Sequence, residues 1–452
     1  MRAADGLRLG VLDDDPTGSQ AVHDVQVVTV LDEDAYGAAF SDAAGTCFVL
    51  TNTRSLDEPA AAELNERAAR GLRAAAGRAG ARVQFISRSD STLRGHVMAE
   101  VAALQSVRRA ATGRGFDGVL LVPAFLEAGR VTAGDIHWAR VGGELIPVGE
   151  TEFARDAVFG YRASDLRDFV AEKSGGAIGP ADVASIGLAD IRAGGAERVR
   201  ELLAGVRDGG WVVVNATEYS DLDTVARGVL LAERAGSAFL FRTGPSFVRA
   251  LLGMGPKAPL RGGRLWPGGR AAGHGLAVVG SHVGQTSRQV AALHARGGVT
   301  GVELDVPALL RGDDVITPAV RRVAGALGGS DVLLCTSRTV VAGRDRAGGL
   351  AIARTVSAAL SRIVREAVAG AAPAWIVAKG GITSHDVATR GLGIRRAEVT
   401  GQLFPGVISV FRPLDAAPEA IGRPYVVFAG NVGDEETLGQ VVAILNGEHG
   451  EA

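Results

Sequence analysis

The feature that most constrains this fold is an alternation along the whole chain. Short apolar runs, many of them β-branched, are followed by longer stretches rich in Ala, Leu, Arg and Glu. Leu7–Leu12, Val25–Leu31, Cys47–Leu50, Val83–Ile86 and Val119–Val122 have strand length, whereas Glu58–Ala79 and Met98–Ala111 read as helices. Pro59 suits the first turn of the former helix, where its missing N–H costs nothing. Strands alternating with helices predict an α/β architecture with a largely parallel sheet. The pattern returns as strands at Leu276–Val279, Val302–Leu304, Val332–Leu334, Trp375–Ala378 and Tyr425–Phe428. Helices are expected with them at Thr286–Ala295, Thr317–Ala326 and Ala351–Val368. Between the halves lies Gly253–Gly275, a glycine- and arginine-rich stretch with Pro256, Pro259 and Pro267 that reads as a connector. The chain has 452 residues, more than one core usually organises. The prediction is two domains, 1–255 and 256–452, each with a largely parallel sheet flanked by helices.

Charge excludes some partners. With 48 basic and 50 acidic residues the net charge is −2, and neither nucleic acid nor an anionic membrane surface is expected without a concentrated positive field. Apolar runs such as Gly118–Ala124 and Leu276–Gly280 fall far short of the roughly 20 residues a bilayer requires. Met1–Gly10 lacks the layout of a signal peptide, so a cytoplasmic protein is expected. Cys47 and Cys335 have no metal-ligand spacing and read as small core residues. The eight histidines are dispersed, and no metal motif is recognisable. A P-loop needs a Lys between Gly and Ser or Thr. Lys173, Lys257 and Lys379 have no such context, and no G-x-G-x-x-G follows a strand. Any nucleotide would be held by a different loop chemistry.

Four polar clusters follow strands in the first half. Asp13-Asp14-Asp15-Pro16-Thr17-Gly18-Ser19-Gln20 sits at the end of the first strand, where open α/β sheets bind ligands. Three adjacent carboxylates repel one another and point to sugar-hydroxyl contacts, base chemistry or a cation rather than to stability, although Asp15 could simply cap the next segment. Arg54 in Asn52-Thr53-Arg54-Ser55 offers a donor fork that fits a carboxylate. Ser87-Arg88-Ser89-Asp90-Ser91-Thr92-Leu93-Arg94-Gly95-His96 joins hydroxyls, a carboxylate and two guanidiniums just before a helix. A helix cap by Ser91 or Thr92 would explain one hydroxyl but not two arginines flanking Asp90. Val122 to Arg130 forms a further strand-to-loop passage with ligand and structural roles equally open. In the second half, small-residue loops follow three strands: Gly280 to Thr286, Lys379-Gly380-Gly381-Ile382-Thr383-Ser384, and Gly430-Asn431-Val432-Gly433-Asp434. Glycine lets amides approach phosphate oxygens, and three such loops in one domain point to a shared polyphosphate.

In order, these stretches resemble the four-carbon acid sugar kinase family. Its Asp-Asp-x-Thr-Gly motif matches Asp14, Asp15, Thr17 and Gly18; Asp-Ser-Thr-Leu-Arg-Gly matches Asp90 through Gly95; Pro-Ala-Phe-x-x-x-Gly-Arg matches Pro123 to Arg130. The resemblance implies an N-terminal sugar-acid-binding domain, a C-terminal nucleotide-binding domain and an active site in the cleft between them. It implies ATP and Mg²⁺ as cofactors and a terminal-hydroxyl acceptor such as threonate, erythronate or 3-oxo-tetronate. Asp14, Asp15 or Asp90 would orient the hydroxyl and accept its proton, with Arg54, Arg88, Ser91, Thr92 and Arg94 binding substrate. Ser281, Gly380, Gly381, Thr383, Gly430, Asn431, Gly433 and Asp434 would bind the nucleotide. Metal ligands stay unassigned, and Ile382 stands where some members carry an acidic residue. Assembly into a homo-oligomer is left open. Two other readings are a kinase for a longer or branched sugar acid, accommodated by Ser19, Gln20 and His23, and a sensor without turnover.

Overall fold

The computed structural model describes residues 6–15, 18–42, 44–281, 283–338, 341, 346–430 and 432–448. The chain folds into two compact units, Met1–Pro256 and Lys257–Ala452.

The first unit is built on parallel strands: β1 (Leu7–Asp13), β2 (Val25–Val28), β3 (Thr46–Leu50), β4 (Arg82–Arg88) and β5 (Gly118–Val122). A separate three-stranded antiparallel sheet follows, comprising β6 (Arg130–Ala133), β7 (Ile136–Val141) and β8 (Glu144–Pro147). The main sheet is completed by β9 (Ala184–Ile186), β10 (Gly210–Val214) and β11 (Phe239–Thr243), in the order β2-β3-β1-β4-β11-β5-β10-β9. Strands such as β3 and β5 are buried at every position, so they read as continuous apolar runs, as expected where helices cover both faces. The helix Glu58–Arg78 starts at Asp57, whose carboxylate accepts from the Ala60 amide at 3.0 Å. It buries Ala61, Ala68, Leu72, Ala75 and Ala76 along one face. The predicted helix at Met98–Ala111 spans Val97–Thr112 and ends at Gly113, where φ is +72°. The strand expected at Val25–Leu31 stops at Val28. The hairpin sheet was not visible in the sequence because its strands carry Arg130, His137, Arg140 and Glu144 in place of an apolar run.

The second unit has β12 (Leu276–Val279), β13 (Val299–Leu304), β14 (Asp331–Thr336), β15 (Ile376–Lys379), β16 (Arg396–Phe404), β17 (Val407–Asp415) and β18 (Tyr425–Phe428). Their order is β13-β14-β12-β15-β18-β17-β16. All neighbours are parallel except β17, which runs antiparallel to both β16 and β18. The expected helices of this half appear as Gly284–Arg296, Ile316–Ala326 and Arg346–Gly370. Cys47 and Cys335 are both buried free thiols. Among the described residues no helix is long and apolar enough to cross a membrane.

Packing in the second unit leaves little slack beside Trp375, which is fully buried. A Cβ at Gly275 would fall 1.9 Å from the indole ring. Overpacking of a rigid core costs about 1–3 kcal/mol, so Gly275→Ala should lower the unfolding midpoint by several degrees. Differential scanning calorimetry would check this.

Candidate active site

Both sheets change direction beside their first strand. In the first unit the chain builds outward from β1 through β3 and β2 on one side, then continues from β4 on the other. Loops leaving β1 and β4 therefore diverge, which opens a crevice at the carboxyl edge. The strand ends are level: Asp13 pairs with Leu50 and with Arg88, and Thr243 pairs with Arg88 and Val122. Residues far apart in sequence thus arrive at one edge.

The structure brings Asp14, Asp15, Arg54, Arg88, Asp90 and Arg94 together. Arg88 Nη1 donates to Asp13 Oδ1 at 2.7 Å and to Asp14 Oδ1 at 3.4 Å. Arg54 pairs with Asp15, lies 3.5 Å from Asp14 Oδ1 and 3.9 Å from Asp90 Oδ2. Asp90 Oδ2 accepts from Arg94 Nε at 2.6 Å and from Thr92 Oγ1 at 2.5 Å. The hydroxyl of Thr92 is thus engaged by Asp90, and the helix at Val97 begins without a side-chain cap. Two positions admit only glycine. A Cβ at Gly18 would lie 2.1 Å from Asp13 Oδ2, and Gly95, at φ +127°, leaves room for Asp14 Oδ2 and Arg242 Nη2. Pro16 and Thr17 lie outside the described residues.

These carboxylates are in different electrostatic states. Burial pushes Asp13 and Asp14 up to about 6, against the pull of Arg88 and Arg54. Asp13 Oδ2 and Asp14 Oδ2 are buried and have no hydrogen-bond partner among the described residues. Burial acts on Asp90 too, but Arg54, Arg94 and the Thr92 hydroxyl win and hold its carboxyl well below the usual range. Asp90 is a fixed anion; Asp14 is a carboxylate poised to take up a proton near neutrality.

Several supports were not apparent in the sequence. His137, on β7, donates from Nε2 to the Ser91 carbonyl at 2.8 Å and accepts at Nδ1 from Thr132 Oγ1 at 2.9 Å. Burial lowers its pKa to about 4, so the ring stays neutral. Tyr161 donates to the Thr92 carbonyl at 2.6 Å. Together they clamp the buried Ser91 and Thr92 loop. Beneath it, Arg242 on β11 pairs with Glu100 and donates to Ser87 Oγ at 2.6 Å, while Glu100 Oε1 accepts from Thr53 Oγ1 at 2.5 Å. Ser19 and Gln20 are buried, and His23 Nε2 reaches the Gly255 carbonyl at 3.1 Å.

In the second unit the order changes direction beside β12 and β15. Val279 pairs with Lys379, and Lys379 with Phe428, so three glycine loops leave the same edge. Thr286 Oγ1 donates to the Gly430 carbonyl at 2.9 Å and lies within hydrogen-bond reach of Ser281 Oγ at 3.2 Å, tying the first loop to the third. A Cβ at Gly280 would fall 2.2 Å from Thr383 Oγ1, and one at Gly430 would fall 2.7 Å from Ser281 Oγ. Ser281, Gly380, Thr383 and Gly430 are therefore neighbours, with Gly380 at φ +115° and Gly381 opening the helix Gly381–Asp386. The carbonyls of Gly433 and Asp434 are held by the helix Gly284–Arg296, through Gln285 at 3.0 Å and Gln289 at 2.6 Å. The exposed Asp434 carboxylate accepts from Thr437 Oγ1 at 2.7 Å. Asn431 and His282 lie outside the described residues. Lys379, fully buried over the Phe428 ring, donates to the Ala429 carbonyl at 3.1 Å. Burial lowers its pKa to about 7.

An acid–arginine cluster at one sheet edge and glycine loops at another are the parts of a transferase that handles two small anionic ligands. Family comparison agrees: a sugar-binding N-terminal domain model matches residues 9–251, and a nucleotide-binding C-terminal domain model matches residues 276–438. The chain is 29% identical to a 3-oxo-tetronate kinase of Methylobacterium radiotolerans over 456 residues, covering 97% of this chain and 99% of that one. It is 29% identical to a D-threonate kinase of Bordetella bronchiseptica over 455 residues, covering 96% of each. Solved structures from Salmonella typhimurium LT2 (TM-score 0.70, 16% identity, 96% and 98% covered) and Haemophilus influenzae (0.62, 18%, 96% and 100%) share the fold. The chain belongs to the four-carbon acid sugar kinase family and is a phosphotransferase with an alcohol group as acceptor.

Proposed function

We propose that the protein is an ATP-dependent kinase that phosphorylates the terminal hydroxyl of a four-carbon acid sugar of the threonate, erythronate or 3-oxo-tetronate type. One observation carries this reading: within the domain matched by the sugar-binding model, Asp14, a carboxylate that burial pushes up to about 6, shares Arg54 with Asp90, a fixed anion, among guanidiniums at the carboxyl edge. Asp14, with Asp15 and Asp90 beside it, orients the acceptor hydroxyl, and Asp14 takes its proton as the oxygen–phosphorus bond forms. The arginine cluster (Arg54, Arg88, Arg94), with Ser91 and Thr92, receives the acid sugar.

The glycine loops around Ser281 and Thr383 suit a polyphosphate: glycine at Gly280 and Gly430 lets the three loops pack against one another at one sheet edge, and such loops let amides approach phosphate oxygens. Backbone amides of Gly381, Gly430 and Gly433 would approach its oxygens, while the Gly380 amide stays with the Phe428 carbonyl at 2.8 Å and shapes the loop, and bound ATP supplies the phosphoryl group. No group of three or more His, Cys, Asp or Glu able to hold a metal ion occurs among the described residues. Mg²⁺ would enter this reading as the counter-ion of the triphosphate, neutralising its charge.

The test is ADP formation with a panel of four-carbon acids for the wild type, Asp90→Asn and Arg54→Ala. Turnover by the wild type is expected on at least one acid. Both variants should show a raised KM or a kcat lowered at least tenfold. Failure of the wild type on every acid, with ATP and Mg²⁺ present, would sink the reading.

A further inference from the structure

Arginines crowd the acid cluster of the first unit, and their charges are unequally spent. Arg54 is committed to Asp15 and Asp14, and Arg88 to Asp13 and Asp14. Arg94 is committed to Asp90 at 2.6 Å and to Asp156 at 3.7 Å. Arg130, at the start of β6, has no carboxylate within ion-pair distance among the described residues. Its Nη1 donates to the Ala128 carbonyl at 2.7 Å, and its Nε is buried without a partner. Yet it is held close to another cation: Arg94 and Arg130 both lie over the Phe153 ring, at 5.3 and 5.9 Å from its centroid. Burial and Arg94 both disfavour its charge, with Asp90 opposing. A half-buried guanidinium beside a second one, on an apolar ring, calls for an anion from outside.

We propose that Arg130 is the specificity residue that takes the carboxylate end of the acid sugar. The donor fork suits a planar carboxylate bidentately, Phe153 shields the pair from water, and Arg94 adds a second positive field. Arg54 and Arg88, paired with the aspartates, receive the same sugar on the side of its acceptor hydroxyl. Arg130 therefore sets the preference for an acid over a neutral acceptor of the same length. This rests on the sugar-acid kinase reading and deepens it.

The experiment compares wild type, Arg130→Met and Arg130→Lys in the full chain, using the best four-carbon acid and its carboxamide as acceptors and reading kcat and KM from ADP formation. In the wild type the acid should be strongly preferred. In Arg130→Met the acid-to-amide ratio of kcat/KM should fall at least tenfold through KM for the acid, with the amide unaffected. Arg130→Lys, which keeps the charge but loses the fork, should fall between them. A merely structural role would weaken both acceptors together; that result, or an unchanged KM for the acid, overturns the proposal. If the wild type forms no ADP with any sugar acid, the parent reading falls and this inference goes with it.

Discussion

Asp14→Asn should lower kcat by roughly 10²–10⁴-fold, the usual contribution of a positioned general base. The KM for the acid sugar should change much less, because the arginines that receive it are untouched. Burial pushes the Asp14 carboxyl up to about 6, and its Oδ2 has no partner among the described residues. In the wild type, activity should fall as pH drops through about 6, since protonation removes the base; above that pH it should be level. Asp13 titrates in the same range and contacts the same Arg88, so the acid limb belongs to the pair. Loss of the fold would be a trivial cause of inactivity, but the linkage runs the other way. A carboxyl whose folded pKa lies above its ordinary value of 3.8 is one whose ionisation weakens the fold as pH rises through about 6. Replacing it by a neutral amide at pH 8 should leave the melting temperature unchanged or higher. A pH–rate profile with calorimetry on the variant checks both halves, and wild-type kcat in Asp14→Asn would remove the assigned base.

The largest effect on stability is expected at Arg242. Its side chain is 1% exposed and that of its partner Glu100 is 3% exposed. Removing one member of such a pair leaves an uncompensated buried charge and costs about 3–5 kcal/mol, against a total stability of about 5–15 kcal/mol for a domain. Arg242→Met should therefore shift the urea midpoint of the first unit far downward with its slope unchanged. The double variant Arg242→Met, Glu100→Gln should recover much of the loss, because the stranded anion is gone while Thr53 keeps an acceptor. Strictly additive losses would show that the two residues do not act as a pair. The pair also bears on the site: Glu100 holds Thr53 beside Arg54, and Arg242 holds Ser87 beside Arg88. Loss of Arg242 should raise the KM for the acid sugar even under conditions where the variant stays folded.

The polar clusters were legible because each begins where an apolar run ends, and in a parallel sheet such ends share one edge. Asp14, Arg54, Asp90 and Arg94 stand out in this way, each at the end of a strand or just beyond it. Arg242 does not: inside Phe239–Thr243 it is one charge in an apolar strand, and its reason is a carboxylate 142 residues away. His137 and Phe153 do not announce themselves as supports, because the hairpin sheet and its following turn have too little apolar periodicity. Asp434 shares the loop of Gly430 in sequence, and the structure ties its carbonyl to Gln289 of the helix Gly284–Arg296 and its carboxylate to Thr437.

Hydrophobic periodicity is a local property of the chain, and it determined the α/β class, the strand ends and the identity of the chemical groups waiting there. Which carboxylate stays charged, which takes up a proton near neutrality and that Arg130 has no counter-charge among the described residues were decided by tertiary structure alone. Those properties depend on burial and on distances between residues that only folding brings together, and a Coulomb interaction reads separation in space rather than separation in sequence.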